Sequence, residues 1–265
     1  METNNTQENE LLSNKLTLTT RTVKRLVNDV KDILKKPLDD SGIYYIHDDE
    51  NMLFGYALII GPKNTPYENG LYFFKFIFPK DYPFSPPKVT FLTNNGECRF
   101  HPNMYRNGKV CLSVLNTWKG DGWTSCNNIR SILLIIQSVM DEIPLLHEPG
   151  ILMSNVDVTK YTESIRYNNI SFSILYTFKK LLIEKSLHHP FMVFFDVVRK
   201  LFNTKKNEYD IYIQNYMKTN KQQNNSTIHV KLYNMNTCIC INKLENMWVQ
   251  LQDAVKIENT HTSRF

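Results

Sequence analysis

Residues 78–89 read Phe78-Pro79-Lys80-Asp81-Tyr82-Pro83-Phe84-Ser85-Pro86-Pro87-Lys88-Val89, and the prolines decide how the chain around them folds. A proline has no amide hydrogen to give to a sheet ladder, so regular pairing stops across this stretch. On its N-terminal side three runs read as strands: Ile43–His47, Leu53–Ile60 and Leu71–Phe78. Turn clusters separate them: Asp48-Asp49-Glu50-Asn51, Gly61-Pro62-Lys63-Asn64 and Asn69-Gly70. A fourth run, Val89–Leu92, follows the prolines. The connections are too short for crossovers, so the four runs predict an antiparallel meander.

Helical spacing flanks the meander. Between Leu16 and Lys36 the apolar positions Val23, Leu26, Val27, Val30, Ile33 and Leu34 recur every three to four residues, and Pro37 stops them. Downstream, Ile129, Ile132, Leu133, Ile136, Val139 and Met140 mark a buried central helix that ends before Pro144, with Ser125 and Asn127 as candidate caps. A further helix is predicted from about Thr159 to Glu184. The composition then shifts, with helical pieces over Phe191–Phe202, Tyr209–Met217 and Leu244–Val255 around a polar run, Thr219–Thr227, that reads as a loop. The fold class is α/β (α+β). The expected divisions are a flexible N-terminus over 1–15, a core domain over 16–185 and a mostly helical extension over 186–265.

With 265 residues, 42% hydrophobic and 12% aromatic, the chain has ample material for a core. A net charge of +5 without a Lys/Arg stripe predicts no nucleic-acid partner. No apolar run approaches the roughly 18 residues of a membrane span. The polar start, Met1-Glu2-Thr3-Asn4-Asn5, does not resemble a secretory leader. The cysteines (98, 111, 126, 238 and 240) are odd in number, which favours free thiols in a reducing compartment, the cytoplasm or nucleus.

Residues 93–124 lack periodicity yet hold the most specific chemistry: Phe100-His101-Pro102-Asn103, then Gly108-Lys109-Val110-Cys111-Leu112. Long ordered loops of this kind are usually functional. A proline-stiffened turn and a side-chain amide here accompany one thiol in an apolar surround. The plainer account of a free thiol is a packing residue. Zinc is a poor fit, because Cys98, His101, Cys111 and Cys126 include no C-x-x-C pair. Cys238-x-Cys240 is too close to chelate and fits alternation in a strand.

Taken together, these segments resemble the ubiquitin-conjugating (E2) family over roughly residues 20–185. The resemblance lies in the first helix and the meander, in Gly61-Pro62-Lys63-Asn64-Thr65-Pro66-Tyr67-Glu68-Asn69-Gly70, and in the proline-rich stretch. It continues through His101-Pro102-Asn103, Cys111 and Trp123. Tyr105–Ser113, the extra residues near Trp118–Gly122, and Glu148-Pro149-Gly150 look most like the family's larger Z-type branch, which carries a C-terminal extension. Three positions depart from the usual pattern: Met104 replaces a branched aliphatic residue, Ser113 replaces a frequent Asp, and an insertion separates Trp118 from Trp123-Thr124.

The resemblance implies the family's UBC fold: an N-terminal helix, a four-stranded antiparallel meander, a central helix and C-terminal helices. It implies that Cys111 receives ubiquitin, or a ubiquitin-like modifier, as a thioester from an E1 activating enzyme and passes it to a substrate lysine or an E3 ligase. Asn103 would stabilise the developing oxyanion or hold the loop through backbone hydrogen bonds. His101 is expected to be structural. Glu148 would orient or deprotonate the acceptor lysine, or else be a surface carboxylate, and Ser113 would gate the site. Phe84 and Thr124-Ser125-Cys126 correspond to the loops that dock E3 ligases, and Lys24 and Arg25 to the shared E1/E3 face. With no Gly-rich phosphate loop, no cofactor is expected to bind; ATP is consumed by the E1 partner. Two rival classes are a non-catalytic, E2-like ubiquitin-binding adaptor, against which Cys111 argues, and a Cys-dependent hydrolase, for which residues 93–124 offer no Gly-rich oxyanion turn.

Overall fold

A computed structural model describes residues 18–185 and 190–262; the expected flexible segment 1–15 lies outside them. The first helix, α1 (Thr20–Lys35), begins where the Thr19 hydroxyl accepts the Thr22 amide hydrogen at 3.1 Å. Its Leu26 and Ile33 faces are buried. The meander follows as β1 (Ile43–His47), β2 (Phe54–Ile60), β3 (Leu71–Ile77) and β4 (Lys88–Phe91), antiparallel in the order β1-β2-β3-β4. The register sets Tyr45 opposite Ala57, Ala57 opposite Phe74, and Phe74 opposite Phe91.

Alternation sends successive side chains to opposite faces, and here both faces are covered. Tyr45, Ala57, Ile59, Tyr72, Phe74, Phe76 and Phe91 pack with α1 and with α2 (Ile129–Ser138). Arg130 of α2 donates to the Asp32 carboxylate of α1 at 2.7 Å, tying the helices together. Asn128, one residue past the expected cap, forms a capping box with Ser131.

The opposite face carries Leu58, Leu71 and Phe73, which pack against the C-terminal residues. Two-sided burial explains why β3 reads as an almost unbroken apolar run. The helix α3 (Asp157–Asn168) continues in wider π-helical turns over Asn169–Tyr176 and Lys179–Ile183. The two pieces expected at Phe191–Phe202 and Tyr209–Met217 are one helix, α4 (Phe195–Thr219). Phe202 and Tyr209 are two turns apart and share a face. Both are buried against Phe178, with ring centroids at 5.0 and 4.9 Å.

The polar run expected as a loop leads into a hairpin, β5 (Ser226–Val230) and β6 (Met235–Ile239), before the last helix, α5 (Ile241–Thr262). In β6, Met235, Thr237 and Ile239 point inward while Asn236 and Cys238 are exposed. Val230 and Met235 belong to the same core as α1 and α2. On the other face, Phe73 stacks on Phe191 at 3.9 Å. The division expected at 185/186 thus separates stretches of sequence whose apolar cores interleave. Among the described residues no helix is long and apolar enough to cross a membrane.

Candidate active site

The loop after β4 is pinned from below. Tyr67, inside the Gly61–Gly70 turn, donates its hydroxyl to the Phe100 carbonyl at 2.7 Å. Gly61 is required for this, because a Cβ there would lie 1.7 Å from the Tyr67 carbonyl oxygen. Above Phe100 the turn closes with the Met104 amide donating to the His101 carbonyl at 2.9 Å, and Met104 bridges to Val110. Met104 is fully buried, a packing role at this departure from the family pattern.

Asn103 and Cys111 meet across the loop. The Cys111 amide donates to the Asn103 carbonyl at 2.8 Å, and Asn103 Nδ2 donates to the Cys111 carbonyl at 2.6 Å. The second bond is the loop-holding arrangement, and Asn103 Oδ1 is buried without a partner. Cys111 itself is only 2% exposed, in the loop wall. Beside it a cleft of about 550 Å³ is lined by Pro86, Pro87, Val89, Lys109, Val110 and Leu115. Cys98 is also buried, and burial pushes its thiol pKa well up, which leaves it protonated and inert.

His101 Nδ1 accepts the Asn103 amide hydrogen at 3.0 Å, which commits that nitrogen to the turn. Burial lowers the His101 pKa to about 3, helped by the His147 ring with its centroid at 4.9 Å. The ring is therefore neutral, and its geometry is that of a scaffold.

Ser113 begins a short 3-10 turn, Ser113–Leu115. The inserted residues fold back onto it: Gly120, at φ +132°, is so close that a Cβ would sit 3.1 Å from the Ser113 Cβ. Asn116, in the left-handed region at φ 55°, accepts the Trp123 amide hydrogen at 2.8 Å and closes the insertion. Thr117 accepts the Leu112 amide hydrogen at 2.9 Å, so the residue after Cys111 is held by the same loop.

Glu148 is engaged within the molecule. It accepts the Tyr233 hydroxyl at 2.6 Å and faces Arg99 at 3.8 Å. The Arg99 guanidinium lies between the Tyr105 and Tyr233 rings, 3.9 and 4.3 Å from their centroids, and donates to the Pro102 carbonyl. Burial and the Glu148 hydrogen bond push the Tyr233 pKa far up. Neither Arg99 nor Tyr233 stood out in the sequence: Arg99 lies just outside the Phe100–Asn103 motif, and no motif surrounds Tyr233.

On the face expected to meet partners, Phe84 is 58% exposed, with the Arg21 guanidinium 4.5 Å above its ring. Trp123 Nε1 donates to the Pro83 carbonyl at 2.7 Å, joining the proline-rich stretch to the second loop. Thr124 donates backbone and hydroxyl to the Asn127 side chain, while Ser125 and Cys126 are exposed. Lys24 points to solvent. Arg25, expected beside it as a partner-facing charge, turns inward instead. It pairs with Asp29 at 2.8 Å and donates to the backbone carbonyls of Ser125 (2.6 Å) and Asn127. Arg25 therefore braces the Ser125–Asn127 loop, whereas Lys24 on the same helix is exposed.

Comparison with known proteins agrees with this geometry. Residues 25–150 match the family model described as ubiquitin-conjugating enzyme. The chain is 41% identical over 170 residues to ubiquitin-conjugating enzyme E2 Z of Xenopus tropicalis, covering 63% of this chain and 52% of that protein. It is 42% identical over 153 residues to E2 Z of Homo sapiens, covering 57% and 43%. It is 37% identical over 180 residues to the human dual E2 ubiquitin-conjugating enzyme/E3 ubiquitin-protein ligase BIRC6, covering 65% of this chain and 4% of that protein. The chain thus spans about half the length of the E2 Z relatives it matches. A helix, a four-stranded meander, a Cys–Asn loop and a central helix follow one another in this order, and residues 25–150, which match the ubiquitin-conjugating enzyme family, run from within the first helix to beyond the central one.

Proposed function

We propose that this chain is an E2 enzyme that carries ubiquitin, or a ubiquitin-like modifier, on Cys111. In loading, the Cys111 thiolate attacks the thioester carbonyl on an E1 enzyme, and the E1 cysteine leaves as its thiolate. One thioester is broken and one formed, so the exchange is close to neutral in energy. In transfer, a substrate lysine or an E3 cysteine attacks the Cys111 thioester and expels the Cys111 thiolate. A lysine nucleophile also gives up a proton. ATP is spent by the E1, and this chain needs no cofactor for either step. Acting on cellular proteins with E1 and E3 partners places it in the cytoplasm or nucleus.

The observation that carries this reading is the reciprocal bonding of Asn103 and Cys111. It holds a side-chain amide beside the thiol loop, where a turn toward the thioester would present a donor to the oxyanion. The engaged, neutral His101 weighs against a Cys/His hydrolase, which needs a free base. The assay is incubation with E1, ATP and ubiquitin, read on gels with and without thiol reductant. Wild type forms a reductant-sensitive adduct, Cys111→Ser a reductant-resistant oxyester, and Cys111→Ala none. An adduct on Cys111→Ala overturns the assignment. Binding of ubiquitin without any adduct favours the adaptor reading.

A further inference from the structure

We propose that the C-terminal hairpin is part of the active-site scaffold, and that Tyr233 at its tip is a positioning residue for the His101-Pro102-Asn103 turn. This rests on the reading of Cys111 as the thioester-bearing residue. Tyr233 reaches both shoulders of the turn. On the N-terminal shoulder its ring lies 4.3 Å from the Arg99 guanidinium, which donates onward to the Pro102 carbonyl. On the C-terminal shoulder its backbone carbonyl accepts from Arg106 at 3.1 Å, in the segment that leads to Cys111. Pro102 adjoins Asn103 and Arg106 lies three residues beyond it, so the two arms flank the residue that grips Cys111.

The clamp is fixed from outside as well. The Tyr233 hydroxyl donates to Glu148 at 2.6 Å. Tyr161 of α3 donates to the Arg99 carbonyl at 2.6 Å and meets the Tyr233 ring edge-on at 5.4 Å. The hairpin is anchored by the Leu232 amide on the buried Asp157 carboxylate at 2.9 Å, and by Val230 and Met235 in the core. Arginine suits this place because its flat guanidinium stacks on rings while its edge still donates. Glu148 is thereby drawn into the clamp, since its carboxylate orients Tyr233.

Tyr233 touches no reacting atom, so its effect must pass through Asn103. The test is single-turnover discharge of the ubiquitin thioester to free lysine, using the full chain loaded by E1, in a double-mutant cycle. Tyr233→Ala is expected to slow discharge about tenfold, and Tyr233→Phe, which keeps the ring but loses the hydroxyl, about threefold. In an Asn103→Ser background the same substitutions are expected to change discharge less than about twofold, because the grip they support is already gone. An equal fold-loss in both backgrounds, or no loss in either, overturns the clamp. A general loss of folded protein produces that equal loss and is so distinguished. If Tyr233→Ala fails to fold, the Tyr233→Phe cycle decides by the same criterion. A wild-type chain that never loads overturns the underlying reading, whereas a chain that loads and discharges normally with Tyr233 replaced overturns the clamp alone.

Discussion

Asn103 and Cys111 grip each other from both sides, the Cys111 amide on the Asn103 carbonyl at 2.8 Å and the Asn103 side-chain amide on the Cys111 carbonyl at 2.6 Å. The two accounts of Asn103 therefore become one sequence of events. On the proposed thioester role, the amide that braces the loop would also offer a donor to an oxyanion on an acylated Cys111. Asn103→Asp removes that donor and sets oxygen against oxygen. It is expected to cost about 1–3 kcal/mol of stability and to slow lysine discharge on the order of 100-fold. Denaturant titration and single-turnover discharge check the two parts. Wild-type discharge by a folded Asn103→Asp variant would exclude the oxyanion role.

His101 predicts a pH dependence of stability. Its folded pKa is lowered to about 3 by burial, beside His147, whereas a free histidine titrates near 6.5. Between those values the unfolded chain takes up a proton that the folded chain refuses. The stability tied to neutral His101 is thus complete above about pH 6.5 and is lost as pH falls toward 3. His47, half-buried and also lowered by burial, acts in the same direction. Unfolding free energy measured from pH 7 to pH 5 should fall, with His101 contributing at most about 1.4 kcal/mol per pH unit. His101→Gln should flatten the curve, and an unchanged slope would remove His101 as its source.

Arg25 and Lys24 should separate cleanly. Arg25→Ala takes a donor from the carbonyls of Ser125 and Asn127 and leaves the Asp29 carboxylate with the Tyr82 hydroxyl but no cation, and should cost about 2 kcal/mol. It should also weaken any E3 that docks on Thr124–Cys126. Arg25→Lys should not rescue it, because an ammonium cannot span those acceptors in one plane. Lys24→Ala should leave the melting temperature within error. Calorimetry of the three variants tests this, and equal melting temperatures would contradict it.

Phe191 seals the sheet face opposite α1. Its replacement by alanine should cost about 3–5 kcal/mol, since Phe73 loses its 3.9 Å stacking partner. Truncation near residue 186 should cost more, exposing Leu58, Leu71 and Phe73 together. Loss of a cooperative melt or of solubility in the truncated chain is the expected readout. A truncated chain as stable as the full one would show that the extension adds nothing to the core.

Much of the core was legible because its signals are local. Prolines end ladders, Asn-Gly turns join strands, and three-four spacing marks helices; the strand limits moved by only a residue or so. The site was legible for the same reason, since Asn103 and Cys111 lie eight residues apart on one loop. Misread segments were those where a local cue met a distant partner. The polar residues between Phe202 and Tyr209 broke an apolar pattern, yet they are the solvent side of one helix held by Phe178. Arg25 looked like a surface charge until the carbonyls of Ser125 and Asn127, about one hundred residues on, gave it a place to bind.

By itself the sequence determined the meander, the flanking helices, the Cys111 loop and the family they resemble, since each rests on residues that are neighbours in the chain. The tertiary structure alone decided that Glu148 answers to Tyr233, 85 residues away, and that the sheet is buried on both faces. Such pairings depend on which surfaces must leave water together. That depends on how the whole chain packs and is not encoded in any short stretch of it.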